Sequence, residues 1–257
     1  MGRIFITGSA DGLGQLAAKR LVAAGHEVVL HARNNQRGIE ALDNVKGTTT
    51  VVTGDLSSIK ETISVATQVN ELGTFDAIIH NAAIGYQEQR KITTVDGLPH
   101  LLTINTLAPY ILTCLINKPQ RLIYLSSGLH MQGDDSLRDL EWNNRPWNGF
   151  QAYSDSKLHD LILAMAIANK WPSVYSNALE PGWVPTKMGG PDAPDDINKG
   201  SETQSWLAVS DDPAAKVSGK FFYHLRQKSY HPAAADPEVQ EQLLAECYRL
   251  TGVALPL

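Results

Sequence analysis

Tyr153 and Lys157 stand four positions apart in the run Gln151-Ala152-Tyr153-Ser154-Asp155-Ser156-Lys157. If that run is helical, the two side chains lie one turn apart on one face. A phenol with an ordinary pKa of about 10 is a poor base near neutrality. A neighbouring ammonium favours the phenolate and makes proton exchange with an alcohol or carbonyl oxygen feasible. Taken alone, the same spacing also describes an ordinary surface pair, so the reading depends on what surrounds it. Ser126-Ser127-Gly128 follows the apolar run Leu122 to Leu125. At the carboxyl end of a strand, such a hydroxyl either holds a reacting carbonyl oxygen or simply makes a turn. Asn105 falls on an apolar stripe with Leu101, Ala108, Leu112 and Leu115. Pro109 has no N–H for the Asn105 carbonyl, so the helix is expected to kink there. The freed carbonyl could hold a water between Asn105 and Lys157; the other reading is a kink with no catalytic role.

A second group of residues suits an anion. In Thr7-Gly8-Ser9-Ala10-Asp11-Gly12-Leu13-Gly14, the glycines allow a tight turn in which Gly8, Ser9, Asp11, Gly12, Leu13 and Gly14 would face a dinucleotide pyrophosphate at a helix N-terminus. The run Val28 to Asn34 carries Ala32 where an NAD enzyme would have an acid for the ribose 2′-hydroxyl. Arg33, with Arg37 a turn away, suits a 2′-phosphate, so NADP is expected in preference to NAD. Asp55, in Gly54-Asp55-Leu56, either accepts a hydrogen bond from the adenine amino group or caps a helix.

These residues must be held by elements, and the pattern supplies them. Strand-like runs at Ile4 to Thr7, Glu27 to His31, Thr48 to Thr53, Phe75 to His80, Arg121 to Leu125, Val174 to Leu179 and Val217 to Tyr223 alternate with helix-period stretches at Gly12 to Ala24, Ser58 to Leu72 and Gln151 to Asn169. A last helix is expected from Pro237 to Leu250. The alternation predicts an α/β doubly wound parallel sheet of about seven strands with helices on both faces, residues 1–257 forming a single domain. Gly128 to Gly149 and Pro185 to Lys199 show no strand or helix pattern and are expected to be substrate loops. Trp142, Trp147 and Phe150 either line a partly apolar pocket or pack the loop on itself; Tyr86, His130, Trp147 and Trp183 are further pocket candidates.

Composition narrows the partners. An apolar fraction of 43%, a charged fraction of 19% and a net charge of −5 describe a globular chain without the basic patch that nucleic acid requires. Cys114 and Cys247 are far apart and show no metal-ligand spacing, so reduced thiols and no metal are expected. The chain starts directly in a strand and has no membrane-length apolar stretch, so a cytoplasmic protein acting on a small molecule is expected.

Together the motifs resemble the short-chain dehydrogenase/reductase family, in its compact single-domain branch, over nearly the whole chain. The resemblance rests on Thr7-Gly8-x-x-x-Gly12-x-Gly14, Asn81-Ala82-Ala83, Asn105, Ser127, Tyr153-x-x-x-Lys157 and Pro181-Gly182-Trp183-Val184-x-Thr186. It implies that Tyr153 is the acid/base, Ser127 orients the carbonyl, Lys157 binds the cofactor ribose and tunes Tyr153, and Asn105 holds a water. It further implies cofactor contacts at Leu56, Asn81, Ala82, Pro181, Gly182, Val184 and Thr186, the last at the nicotinamide end. His80-Asn81-Ala82-Ala83 replaces the family's usual Asn-Asn-Ala-Gly. The long interval from Ser127 to Tyr153 resembles retinol-dehydrogenase-like members. A carbonyl or alcohol substrate and a homodimer or homotetramer are implied, the alternative being a non-catalytic NADP-binding regulatory or scaffold protein of the same fold.

Overall fold

Strands β1 (Arg3–Ile6), β2 (Glu27–Ala32), β3 (Val51–Thr53), β4 (Ala77–His80), β5 (Arg121–Leu125), β6 (Tyr175–Glu180), β7 (Lys220–Tyr223) and β8 (Arg226–Gln227) form one sheet, in a computed structural model that describes residues 1–256. The order is β3-β2-β1-β4-β5-β6-β7-β8; the first seven strands are parallel and β8 returns antiparallel to β7. The sheet thus has one strand more than the expected seven, because a turn at the left-handed residues His224 and Leu225 folds the chain back on β7.

Parallel strands need crossover connections, and the helices that supply them cover both faces. α1 (Gly12–Ala23), α2 (Asn35–Asn44) and α7 (Ile197–Val209) lie on one side; α3 (Ile59–Glu71), α5 (Ala108–Leu115), α6 (Gly149–Lys170) and α8 (Pro237–Thr251) lie on the other. The alternation of β1 shows the two cores directly. Ile4 and Ile6 pack with Ala17, Ala18 and Leu21 of α1, whereas Phe5 packs with Val65 and Val69 of α3. β1 is bonded to β2 on one side and β4 on the other, so the chain reverses its winding at β1. The carboxyl ends of β1 and β4 therefore diverge into a crevice, the place where this class of sheet binds ligands.

Two helices go beyond the sequence expectation. α2 buries only the small residues Gly38 and Ala41, α7 has no strong apolar stripe, and α7 starts inside the stretch expected to be loop. The Gly128 to Gly149 stretch is also not wholly irregular: Gly128–Gln132 forms a 3-10 turn capped by Ser127, whose Oγ accepts from the Leu129 N–H at 3.3 Å. The expected kink before Pro109 takes a definite form. A short helix α4 (His100–Leu102) leads into a π turn over Thr103–Leu107, closed by the Ala108 N–H on the Thr103 carbonyl.

Candidate active site

Gly8 has φ 62°, and a Cβ there would sit 2.8 Å from the Ala82 Cα. A Cβ on Gly14 would collide with the Asn81 side-chain amide. These two glycines are therefore required by the approach of the β1 and β4 loops. Asn81 Nδ2 donates to the carbonyls of Thr7 at 2.9 Å and Gly8 at 3.1 Å, while Thr7 Oγ1 accepts from the N–H groups of Asn81 and Ala82, both at 3.0 Å. Gly12 has φ 57° and faces open space. Asp11 precedes α1 but makes no side-chain cap, unlike Asn34, Ser58 and Asn148 before α2, α3 and α6. The first-turn N–H groups of α1 thus remain open to an external anion, which is the fit a pyrophosphate requires.

The ends of β2 and β3 border the same crevice. Arg33 is exposed and makes no side-chain hydrogen bond or ion pair among the described residues. Arg37 is committed elsewhere, at 2.7 Å to Asp11 and 2.6 Å to Glu40, so only Arg33 is left of the two arginines for a 2′-phosphate. Asp55 caps a turn, its Oδ1 accepting from the Ser57 N–H at 2.9 Å, and the α3 cap is Ser58. Leu56 is buried beside it. His31 is a residue the motif reading missed. Its Nδ1 accepts from the Gly8 N–H at 3.0 Å and its Nε2 lies 3.0 Å from the Gly54 carbonyl, which requires the neutral Nε2–H tautomer. Complete burial lowers its pKa to about 4 and keeps it in that state.

On the other side of the crevice, α6 presents Tyr153 and Lys157 toward the end of β5. The Tyr153 hydroxyl lies 3.8 Å from Met188 Sδ, and its ring meets Tyr86 edge-on at 5.7 Å. Burial raises the phenol's pKa; the Lys157 ammonium and the nearby Ser127 hydroxyl act in the opposite direction. Lys157 Nζ lies 5.8 Å from the Tyr153 ring centroid and donates to the Leu125 carbonyl at 2.7 Å and to Asp160 Oδ2 at 2.8 Å. Tyr153 and Lys157 are thus neighbours on α6, with Ser127 close enough to act on the phenol. Asp160 is the second residue missed, although its position three after Lys157 on a helix was a readable signal.

Asn105 lies in the π turn and is fully buried. Its Oδ1 accepts from the Ile84 N–H at 2.9 Å, and its Nδ2 donates to the Ile84 carbonyl and to Ser156 Oγ, both at 3.0 Å. The side chain therefore ties the loop after β4 to α6, leaving only its backbone carbonyl for the expected water.

The segment after β6 forms the outer wall. Gly182 takes φ 85°, Val184 is buried, and Thr186 Oγ1 accepts from the Gly189 N–H at 3.1 Å. Pro181 leads this turn away from the sheet. Lys187 reaches back to Asp11 at 2.7 Å, linking this wall to the glycine turn. Between this wall and the loop after β4 an open groove is lined by Ala83, Ile84, Gln87, Ile92, Lys187 and Met188. Of the pocket candidates, Tyr86 adjoins Tyr153, but His130 is buried against Phe221 and Trp183 is 56% exposed. Trp147 packs on Trp142 at 5.1 Å, so this part of the extra loop packs on itself. Phe150 stays at the rim, 6.0 Å from Tyr86.

Residues 3–120 match the sequence profile of the short chain dehydrogenase family. An uncharacterized oxidoreductase of Emericella nidulans is 44% identical over 100% of this chain and 99% of its own length. A short-chain dehydrogenase of Penicillium rubens is 40% identical over 100% of both. Human retinol dehydrogenase 13 is 30% identical over 98% of this chain and 85% of its own. Among solved structures, an uncharacterized protein from Mycobacterium paratuberculosis superposes with a TM-score of 0.86 at 26% identity, covering 100% of this chain and 96% of that one. A blue fluorescent protein from a metagenomic library, crystallised with NADPH, shares the fold at a TM-score of 0.69 and 18% identity, covering 86% and 95%.

Proposed function

The chain belongs to the short-chain dehydrogenase/reductase family, and from that premise we propose that it interconverts a carbonyl and an alcohol with NADP in preference to NAD, Tyr153 acting as acid/base. What supports this reading is that Lys157 neighbours Tyr153 on α6 and Ser127 lies beside the phenol, at the sheet's carboxyl edge that also carries the glycine turn. The preference for NADP rests on Arg33, which has no anionic partner among the described residues, and on Ala32 in the place of an acid. Gly8, Ser9, Asp11, Gly12, Leu13 and Gly14 would carry the pyrophosphate. Asp55 and Leu56 would border the adenine, Asn81 and Ala82 the ribose side, and Pro181, Gly182, Val184 and Thr186 the nicotinamide side.

A bound nicotinamide supplies the hydride. In the reducing direction Tyr153 donates its phenolic proton to the substrate oxygen as the carbonyl carbon is reduced. Ser127 donates a hydrogen bond to the same oxygen, so the developing alkoxide is stabilised by two aimed donors. Lys157 stabilises the tyrosinate that remains. The raised pKa of Tyr153 keeps the proton in place near neutrality, the state that reduction needs. Tyr86, Phe150 and Met188 around the phenol favour an apolar carbonyl compound. We take residues 1–257 to act as one catalytic unit, in a cytoplasmic homodimer or homotetramer, as the family resemblance implies.

NADPH oxidation against a panel of apolar aldehydes and ketones tests the reading. Tyr153→Phe is expected to lower turnover by roughly 10²–10⁴-fold while leaving NADPH affinity unchanged. Equal turnover in the variant would remove Tyr153 from the chemistry.

A further inference from the structure

Lys157 has a charged neighbour that the motif does not contain. Tyr153 lies one turn before it on α6 and Asp160 nearly one turn after. Lys157 and Asp160 are 3% and 4% exposed at their side chains, with Nζ 2.8 Å from Oδ2. The other Nζ partner, the Leu125 carbonyl, is uncharged. Among the described residues Asp160 is the sole carboxylate within ion-pair distance of Lys157.

A buried ammonium acts on a nearby phenol through its uncompensated charge, and a carboxylate bonded to it cancels part of that field. We propose that Asp160 is a positioning residue of the acid/base centre: it anchors the Lys157 ammonium and offsets its charge, so that Tyr153 holds its proton more tightly and the site is set for carbonyl reduction. This rests on the reading of Tyr153 as acid/base.

The surroundings leave few competing charges. The groups acting on Tyr153 are Lys157 and Asp160 on α6 and Tyr86 from the loop after β4. Around Asp160 they are Lys157 and, from β5, Tyr124. Tyr124 is wholly buried, bonded at 2.8 Å to Thr113 Oγ1, and burial pushes its phenol far up, so it stays neutral. Burial pushes Asp160 up to about 6, with Lys157 pulling the other way, so the carboxylate is ionised near neutrality. Lys157 thus donates to one carbonyl and one carboxylate and retains one N–H, which a charge-neutral pair can still offer to a ribose hydroxyl.

The test titrates Tyr153 without any turnover. Phenolate absorbance of the full-length protein is followed against pH, and the curve of the matching Tyr153→Phe protein is subtracted to isolate this phenol. D160N keeps an acceptor for Nζ but removes the charge. Its Tyr153 midpoint is expected to fall by about one unit or more, while D160E titrates like wild type. D160S carries the same expectation as D160N should the amide not fold. An unchanged or higher midpoint in a folded charge-free variant would overturn the proposal. Because no substrate is used, that outcome is separate from failure of the enzymatic reading, which the Tyr153→Phe turnover assay decides alone.

Discussion

On the proposed reading, cofactor selection would come down to one side chain just after β2. Arg37 is held by Asp11 and Glu40, whereas Arg33 stands exposed with no ion-pair partner among the described residues. A bidentate donor of this kind gains most from a dianionic phosphate and little from a ribose hydroxyl. Arg33→Ala is therefore expected to weaken NADPH binding by roughly 10–100-fold and to leave NADH binding nearly unchanged. Fluorescence titration with both cofactors measures this, and an equal loss for the two would show that Arg33 does not read the phosphate. Asp11 acts in the opposite sense: bonded to both Arg37 and Lys187, it gathers the other nearby cations away from that position.

Among the elements, β2 does more than support α2. At its end His31 bonds the Gly8 amide and the Gly54 carbonyl, and its own N–H donates to Ser9 Oγ at 2.9 Å. One imidazole thus joins the turns after β1 and β3. His31→Leu is expected to weaken NADPH binding about tenfold, because a single lost hydrogen bond to a loop amide corresponds to roughly 1 kcal/mol or slightly more. Unchanged affinity in a variant with native circular dichroism would defeat this role. The sequence makes most of the fold readable because its strands are near-continuous apolar runs; Ser127 and the glycines fall where those runs end, and Tyr153 and Lys157 fall in the first half of α6. α2 was hidden because Gly38 interrupts it, and that glycine lets the helix approach β3, where a Cβ would lie 3.3 Å from Thr53 Cγ2. α7 was hidden because its buried side opens with Gly200, Ser201, Thr203, Gln204 and Ser205, small or polar residues that read as loop, before Leu207 and Ala208. His31 and Asp160 escaped notice because their partners are distant backbone groups or a charge pair inside the core, which hydrophobic periodicity does not report.

Across the whole molecule, burial of neutral histidines sets the response to acid. Burial lowers His31 to about 4, His80 to about 3 and His159 to about 4, from an ordinary 6.5. The unfolded chain therefore takes up protons below about pH 6.5 that the folded chain refuses, and stability falls as pH drops toward those lower values. For His31 alone the difference from 6.5 to about 4 amounts to roughly 3 kcal/mol once acidification is complete. Asp160 works the other way, since its raised pKa of about 6 lets the folded state bind a proton first and gain stability on acidification. One such carboxyl opposes three histidines, so the net effect is destabilising. The melting temperature is expected to fall from about pH 7 to about pH 5. His80→Asn should reduce that fall, because His80 touches Thr113 Oγ1 at 3.0 Å through Nε2 and leaves Nδ1 without a partner among the described residues. A melting temperature that holds steady or rises over this interval would mean that these imidazoles are not kept neutral by the fold. Cofactor release through His31 is expected only near pH 4 and below, where a protonated Nδ1 can no longer accept from the Gly8 amide.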